Sequence, residues 1–203
     1  MKLNAQQLRD LEEKRVHGEL REIKRNPIYF ILENIYDTYN IGGLFRLADA
    51  LAIEKIYLCG ECEIPPNSRI KKASIGTYKV VPWEYRKSAG DAIADLKSKI
   101  KDQRSKSQIK NQNNSNNVTM EQFNNVKIIA VEQHPSAVSY TSGVYRAPLA
   151  LIFGNESYGI AAGTLKLVDQ IVEIPMFGIN RSLNVIVSAA IVSYHVIKQI
   201  KHP

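Results

Sequence analysis

The chain has 203 residues, 44% of them hydrophobic and 23% charged, an ordinary globular balance that fits one compact domain and excludes wholesale disorder. Its longest apolar runs, such as Val185 to Val192, fall far short of the roughly 20 residues that a membrane span needs. The first residues mix charge and polarity without the apolar stretch of a secretory signal, so a cytoplasmic location is expected. The net charge of +7 suits an anionic partner such as nucleic acid, but six basic residues between Lys97 and Lys110 face only Asp102, so that stretch alone carries +5.

In chain order, Leu8, Leu11, Leu20 and Ile23 recur at near-helical spacing until Pro27, which predicts a surface helix over 5–25 within an N-terminal extension, 1–26. From Pro27 onward the pattern changes. Short apolar runs at 28–32, 55–59, 79–83, 126–131, 149–153 and 170–174 read as strands, and helical patterns fall at 41–52, 88–100, 159–168 and 182–198. This alternation predicts an α/β fold with a mostly parallel sheet and helices on both faces. Residues 101–125 hold seven of the fifteen asparagines and read as a mobile, exposed, low-complexity insertion within one domain, 27–203.

Cys59-Gly60-Glu61-Cys62 is a C-x-x-C pair. No helix start follows it to lower a thiol pKa, and the histidines show no paired spacing that would complete a zinc site. Free structural thiols and no bound metal are expected. Phosphate-binding glycine loops, a G-x-S-x-G elbow and an H-E-x-x-H pair are all missing from the sequence, which disfavours the dinucleotide, triphosphate, hydrolase and zincin chemistries that use them.

Three segments remain in which polar and small residues sit where strands end and helices begin, the ligand-binding edge of a parallel sheet. In the first, Asn40 suits a helix N-cap, Gly42 and Gly43 allow close backbone approach, and Arg46 follows on an otherwise apolar helix. Arg46 is either a functional cation or a surface partner of Asp37 or Asp49. In the second, Phe153-Gly154-Asn155-Glu156 carries an apolar strand into a carboxylate, which either orients a ligand or Arg or simply favours a helix start. In the third, Ile174-Pro175-Met176 closes a strand and leads through Ser182, a plausible N-cap, with Leu183 and Asn184 into a long helix.

Taken in order, N-x-G-G-x-x-R-x-A-D-A from Asn40, F-G-N-E-x-x-G from Phe153, and I-P-M-x-G with S-L-N from Ile174 and Ser182 resemble the motifs of the SPOUT superfamily. The match is to the SpoU or TrmH-type RNA 2′-O-ribose methyltransferases and spans about residues 27–198. The resemblance implies a parallel sheet with a C-terminal trefoil knot, a homodimer, and S-adenosyl-L-methionine as cofactor. It places cofactor contacts at Gly154, Ile174, Met176, Ser182, Leu183 and Asn184. It assigns catalysis to Arg46, with Asn40 and Glu156 holding it and the substrate, a ribose 2′-hydroxyl of tRNA or rRNA. The rival reading is a noncatalytic RNA-binding protein that keeps the knotted fold; Arg46, Asn40 and Glu156 are all present, which favours the enzyme.

Overall fold

The computed structural model describes residues 23–110 and 125–201, without the side chains of 103–110. The helix expected over 5–25 lies almost wholly outside the described residues, and its described end, 23–25, has no regular structure. The Asn-rich stretch 111–124 is also outside them.

Seven strands form one sheet in which every pairing is parallel. They are β1 (Asn26–Glu33), β2 (Ile53–Cys59), β3 (Trp83–Arg86), β4 (Lys127–Val131), β5 (Val138–Ser139), β6 (Leu149–Phe153) and β7 (Gln170–Glu173), in the order β3-β2-β1-β6-β4-β7-β5. Alternate residues of each central strand point to opposite faces. Phe30 and Leu32 enter one core with the helices α1 (Thr38–Ala50) and α5 (Val185–Lys201), and Tyr29 and Ile31 enter a second with α3 (Ala89–Lys110). Both faces of β1 and β6 are therefore covered, which explains why their sequences are continuously apolar rather than alternating. Phe30 and Phe153 meet edge to face at 5.4 Å across that pair.

Several expected boundaries are corrected by tertiary contacts. The strand expected at 79–83 instead begins as a 3-10 turn at Thr77–Lys79, with β3 displaced to Trp83–Arg86. Pro82 has no N–H for a ladder, so its carbonyl alone joins the sheet, accepting from Ile56 N at 2.9 Å. The helix expected over 88–100 continues to Lys110, because the Lys, Gln and Arg residues that cannot build a core are good helix formers. The first ten residues of the expected insertion are thus helical. The helix expected over 159–168 shrinks to one turn, α4 (Ala162–Leu165), since Gly159 is left-handed at φ 68° and belongs to the preceding loop. A seven-residue helix, α2 (Ser68–Ser74), forms where none is expected, its start capped by the Asn67 side chain.

Two caps also move by a few residues. Asp37, not Asn40, caps α1 by accepting from Tyr39 N at 2.8 Å, and Asn184, not Ser182, accepts from Ile186 N at 2.8 Å at the start of α5. Asn40 is left inside the first turn with its amide free for other partners. No described helix is long and apolar enough to cross a membrane.

The glycine pair in α1 lets two helices approach closely. A Cβ on Gly42 would overlap the Ala73 Cβ and press to 2.9 Å from Ser74 N on α2, and one on Gly43 would meet Ile186 of α5. Gly42→Ala is expected to destabilise the protein by about 1–2 kcal/mol, overpacking of ~1–3 kcal/mol outweighing the gain in helix propensity. Gly90→Ala, where the new Cβ meets its nearest neighbours at an ordinary 3.5 Å and beyond, is expected to be neutral or stabilising by ~0.5 kcal/mol. Thermal unfolding followed by circular dichroism checks the pair, and equal shifts in melting temperature would contradict this packing.

Candidate active site

Because all strands run parallel, their C-terminal ends lie along one edge, and β1, β6, β4 and β7 are adjacent in the sheet. The loops that follow these four strands therefore meet. Three of the strands end in or run directly into a glutamate, and each carboxylate has work at that edge. Glu33 is buried and accepts from Ala161 N at 2.9 Å and from Thr164 Oγ1 at 2.6 Å, securing the start of α4. Glu132 accepts from Ile160 N at 2.9 Å and Gln133 N at 3.0 Å. Glu173 lines the adjacent cavity.

The loop after β6 is closed on itself. Asn155 and Gly159 exchange backbone hydrogen bonds of 3.1 and 2.8 Å, and the Asn155 side chain accepts from Ser157 N and Tyr158 N while donating to Asn34 O at 2.8 Å. A Cβ on Gly154 would overlap the Gly159 backbone, and one on Gly159 would strike the Glu132 carboxylate. Only glycine fits at either position. The closed loop holds Glu156 toward α1, where Asn40 Nδ2 donates to Glu156 Oε1 at 2.6 Å. On its other side Asn40 Oδ1 accepts from Asn184 Nδ2 at 3.0 Å. One buried amide thus joins the three segments singled out in the sequence, and both of its polar atoms are satisfied.

Beside this relay opens a cavity of about 360 Å³, within the range of small-molecule sites. Gly154, Glu156, Ile174, Met176, Ser182 and Leu183 line it. Its charged lining is three carboxylates, Glu132, Glu156 and Glu173, against one guanidinium, Arg181, a balance that favours a cationic ligand. Asn184, expected as a cofactor contact, is not among the lining residues, and neither is Asn40; the Asn184 side chain is engaged by Asn40 and by the cap of α5 instead. Arg46 also lies outside the cavity: it is exposed and makes no hydrogen bond or ion pair among the described residues. The alternative reading, a surface pairing with Asp37 or Asp49, is not present; Asp37 instead caps its own helix. One turn before Arg46, Gly43 packs on Ile186 of α5, a helix on which Val187 and Tyr194 are exposed.

Glu33, Glu132 and Glu173 are residues of this edge that the motif reading passed over, and Asn155 is one that it quoted without a role. The glutamates' signal is nonetheless in the sequence, as Ile31-Leu32-Glu33, Ala130-Val131-Glu132 and Ile171-Val172-Glu173 each end an apolar run in an acid.

The sequence profile of the SpoU rRNA Methylase family matches residues 27–108 and 101–194. The chain belongs to that family. Relatives include the tRNA (guanosine(18)-2′-O)-methyltransferase of Escherichia coli strain K12, 26% identical over 180 residues that cover 87% of this chain and 66% of that enzyme. The 23S rRNA (guanosine-2′-O-)-methyltransferase RlmB of Haemophilus influenzae is 24% identical over 181 residues, covering 89% of this chain and 63% of its own. This chain thus spans two thirds or less of each relative's length. Among solved structures, the SpoU methyltransferase AviRb from Streptomyces viridochromogenes in complex with AdoMet shares the fold with a TM-score of 0.68 at 20% identity, covering 88% of this chain and 59% of AviRb.

Cys59 and Cys62 are buried, free thiols away from the cavity. Cys62 Sγ donates to Leu32 O at 3.3 Å and accepts from Ile35 N at 3.2 Å, holding the loop after β2 against the end of β1. Burial pushes both thiols above the ordinary range. The native protein is expected to resist alkylation at mildly alkaline pH and to react at both cysteines only after unfolding, as counted by mass spectrometry.

Asn40→Asp sets a carboxylate where an amide now donates to Glu156, and two facing carboxylates raise the pKa of the pair. A raised folded-state pKa penalises the native state above that pKa and releases the penalty below it. The variant is expected to lose about 2 kcal/mol near pH 7 and to recover part of it as pH falls toward about 5. Melting temperatures that track the wild type across this range would contradict the relay.

Proposed function

We propose that the protein is an S-adenosyl-L-methionine-dependent RNA methyltransferase acting on a ribose 2′-hydroxyl of tRNA or rRNA. The observation that carries this reading is the Asn184–Asn40–Glu156 relay beside the cavity. It supports a site in which a cofactor pocket and a polar substrate-holding face share one wall. The names of the relatives, both RNA 2′-O-methyltransferases, agree with that division.

The cavity fits the cofactor on its own terms. Gly154 packs directly on the Gly159 backbone, which holds the closed loop after β6 along the cavity, and the excess of carboxylates in the lining complements a sulfonium cation. Gly154, Ile174, Met176, Ser182 and Leu183 would hold it. When bound, the cofactor would supply an electrophilic sulfonium methyl for transfer to the 2′-oxygen, a transfer that would leave a neutral thioether and release the hydroxyl proton. The protein's task is mainly positioning, because a weak hydroxyl nucleophile gains most from alignment at near-attack distance. A guanidinium already carries its proton and takes no other. Arg46 therefore orients the RNA phosphate and hydroxyl, and the proton passes to an acceptor on the RNA or to water. Asn40 and Glu156 hold the substrate face in place.

In this reading residues 27–203 are the catalytic domain, with 101–125 inserted and 1–26 an extension, and the C-terminal part is tied in a trefoil knot. The protein works in the cytoplasm without a metal and as a homodimer. Support for the dimer comes from the exposed apolar Val187 and Tyr194 of α5 and from Arg46, which is exposed and has no partner among the described residues.

Arg46→Ala is expected to bind S-adenosylmethionine normally in calorimetry and to lose on the order of 10² to 10⁴ in methyl transfer to bulk tRNA or rRNA. Leu183→Arg is expected to lose cofactor binding. Mixing the two variants should restore part of the activity, through heterodimers with one intact site. A fully active Arg46→Ala protein would overturn the mechanism.

A further inference from the structure

Two smaller clefts lie along α2, and Ser68 lines both. Their chemistries differ. The first, about 220 Å³, is walled by Lys71, Lys72, Lys79 and Tyr78 with no carboxylate in its lining. The second, about 270 Å³, has Tyr36 and Tyr39 for walls, both about half exposed, with Arg69 on one side and the Asp37 and Glu63 carboxylates on the other. The Glu61 carboxylate lies near enough to the Tyr36 hydroxyl to push its pKa above the ordinary value. Tyr39 directly precedes Asn40.

We propose that these clefts form the subsite for the RNA strand next to the target nucleotide, its phosphates on Lys71 and Lys72 and one unpaired base stacked on Tyr39 and Tyr36. The assignment rests on the RNA methyltransferase reading above and adds the path of the strand to it. A nucleotide has an anionic part and a flat, neutral part with N–H donors. The all-basic cleft complements the first, and the aromatic cleft with carboxylates complements the second and rejects phosphate. Charge complementarity extends along α2, whose seven residues include Arg69, Lys71 and Lys72 and no acid. The tight seat of Gly42 on Ala73 fixes α2 against α1. A strand gripped by α2 is therefore held in register with Asn40 and Glu156.

The test uses the full chain and a short, labelled, mixed-sequence single-stranded RNA, with fluorescence anisotropy read over a range of salt. The double variant Lys71→Glu with Lys72→Glu should weaken binding at least about tenfold at low salt and reduce the slope of log K against log salt by roughly 1.4, about 0.7 for each single-strand phosphate that a lysine no longer neutralises. Tyr39→Ala should weaken binding by roughly fivefold or more, the loss of one stacked base, and leave the slope unchanged. S-adenosylmethionine affinity should match the wild type in both variants, which also shows that they are folded. The subsite is overturned if the wild type binds RNA and the variants bind it equally well, if the wild type prefers a duplex of the same length, or if cofactor affinity falls with RNA affinity. A wild-type protein that binds no RNA would overturn the function itself together with the subsite.

Discussion

The amide of Asn40 is buried, and a buried amide has to satisfy a donor and an acceptor at once. Glu156 takes its N–H and Asn184 gives to its oxygen, so one side chain of α1 holds two segments that lie more than a hundred residues further along the chain. Removing either partner leaves a polar group stranded away from water, which costs more than the bond itself gains. The arrangement therefore specifies geometry more than it adds stability. It sets where the β6 loop, the start of α5 and the first turn of α1 stand relative to one another.

That specification depends on the sheet beneath it. Parallel pairing brings the ends of β1, β6, β4 and β7 to one edge, and the glutamates at the ends of three of them accept backbone N–H groups or line the cavity. The site is thus a layer of polar side chains resting on a dry sheet. On the proposed reading the layer divides the work: the β6 and β7 loops surround the cofactor cavity, α1 and α2 face the RNA, and Asn40 with Glu156 lies at the seam. On the same reading Arg46, without a partner among the described residues, completes the division when a second subunit uses it.

Much of this is legible in the sequence. Apolar runs locate five of the seven strands and miss the start of β3 by a few residues, and the polar segments at the strand ends contain Asn40, Glu156 and Asn184 of the relay and Gly154 and Leu183 of the cavity lining. Misplaced features share one physical cause, that local signals are degenerate until tertiary contacts choose between them. Asp37 and Asn40 are both good N-caps, as are Ser182 and Asn184; the choice falls to whichever residue the relay does not need, in the first case, and to one that serves both relay and cap, in the second. Helix α2 is too short to show periodicity, and α3 runs on because nothing in Lys, Gln and Arg opposes a helix. The two-residue β5 has no pattern to read at all.

The central claim is that this polar layer exists to methylate a ribose in RNA. Its most direct test is a map of 2′-O-methylated nucleotides in total tRNA and rRNA from cells with and without the protein, read by mass spectrometry. The account predicts that one or a few ribose methyl groups vanish in its absence and return with the wild-type chain. Identical maps would contradict it.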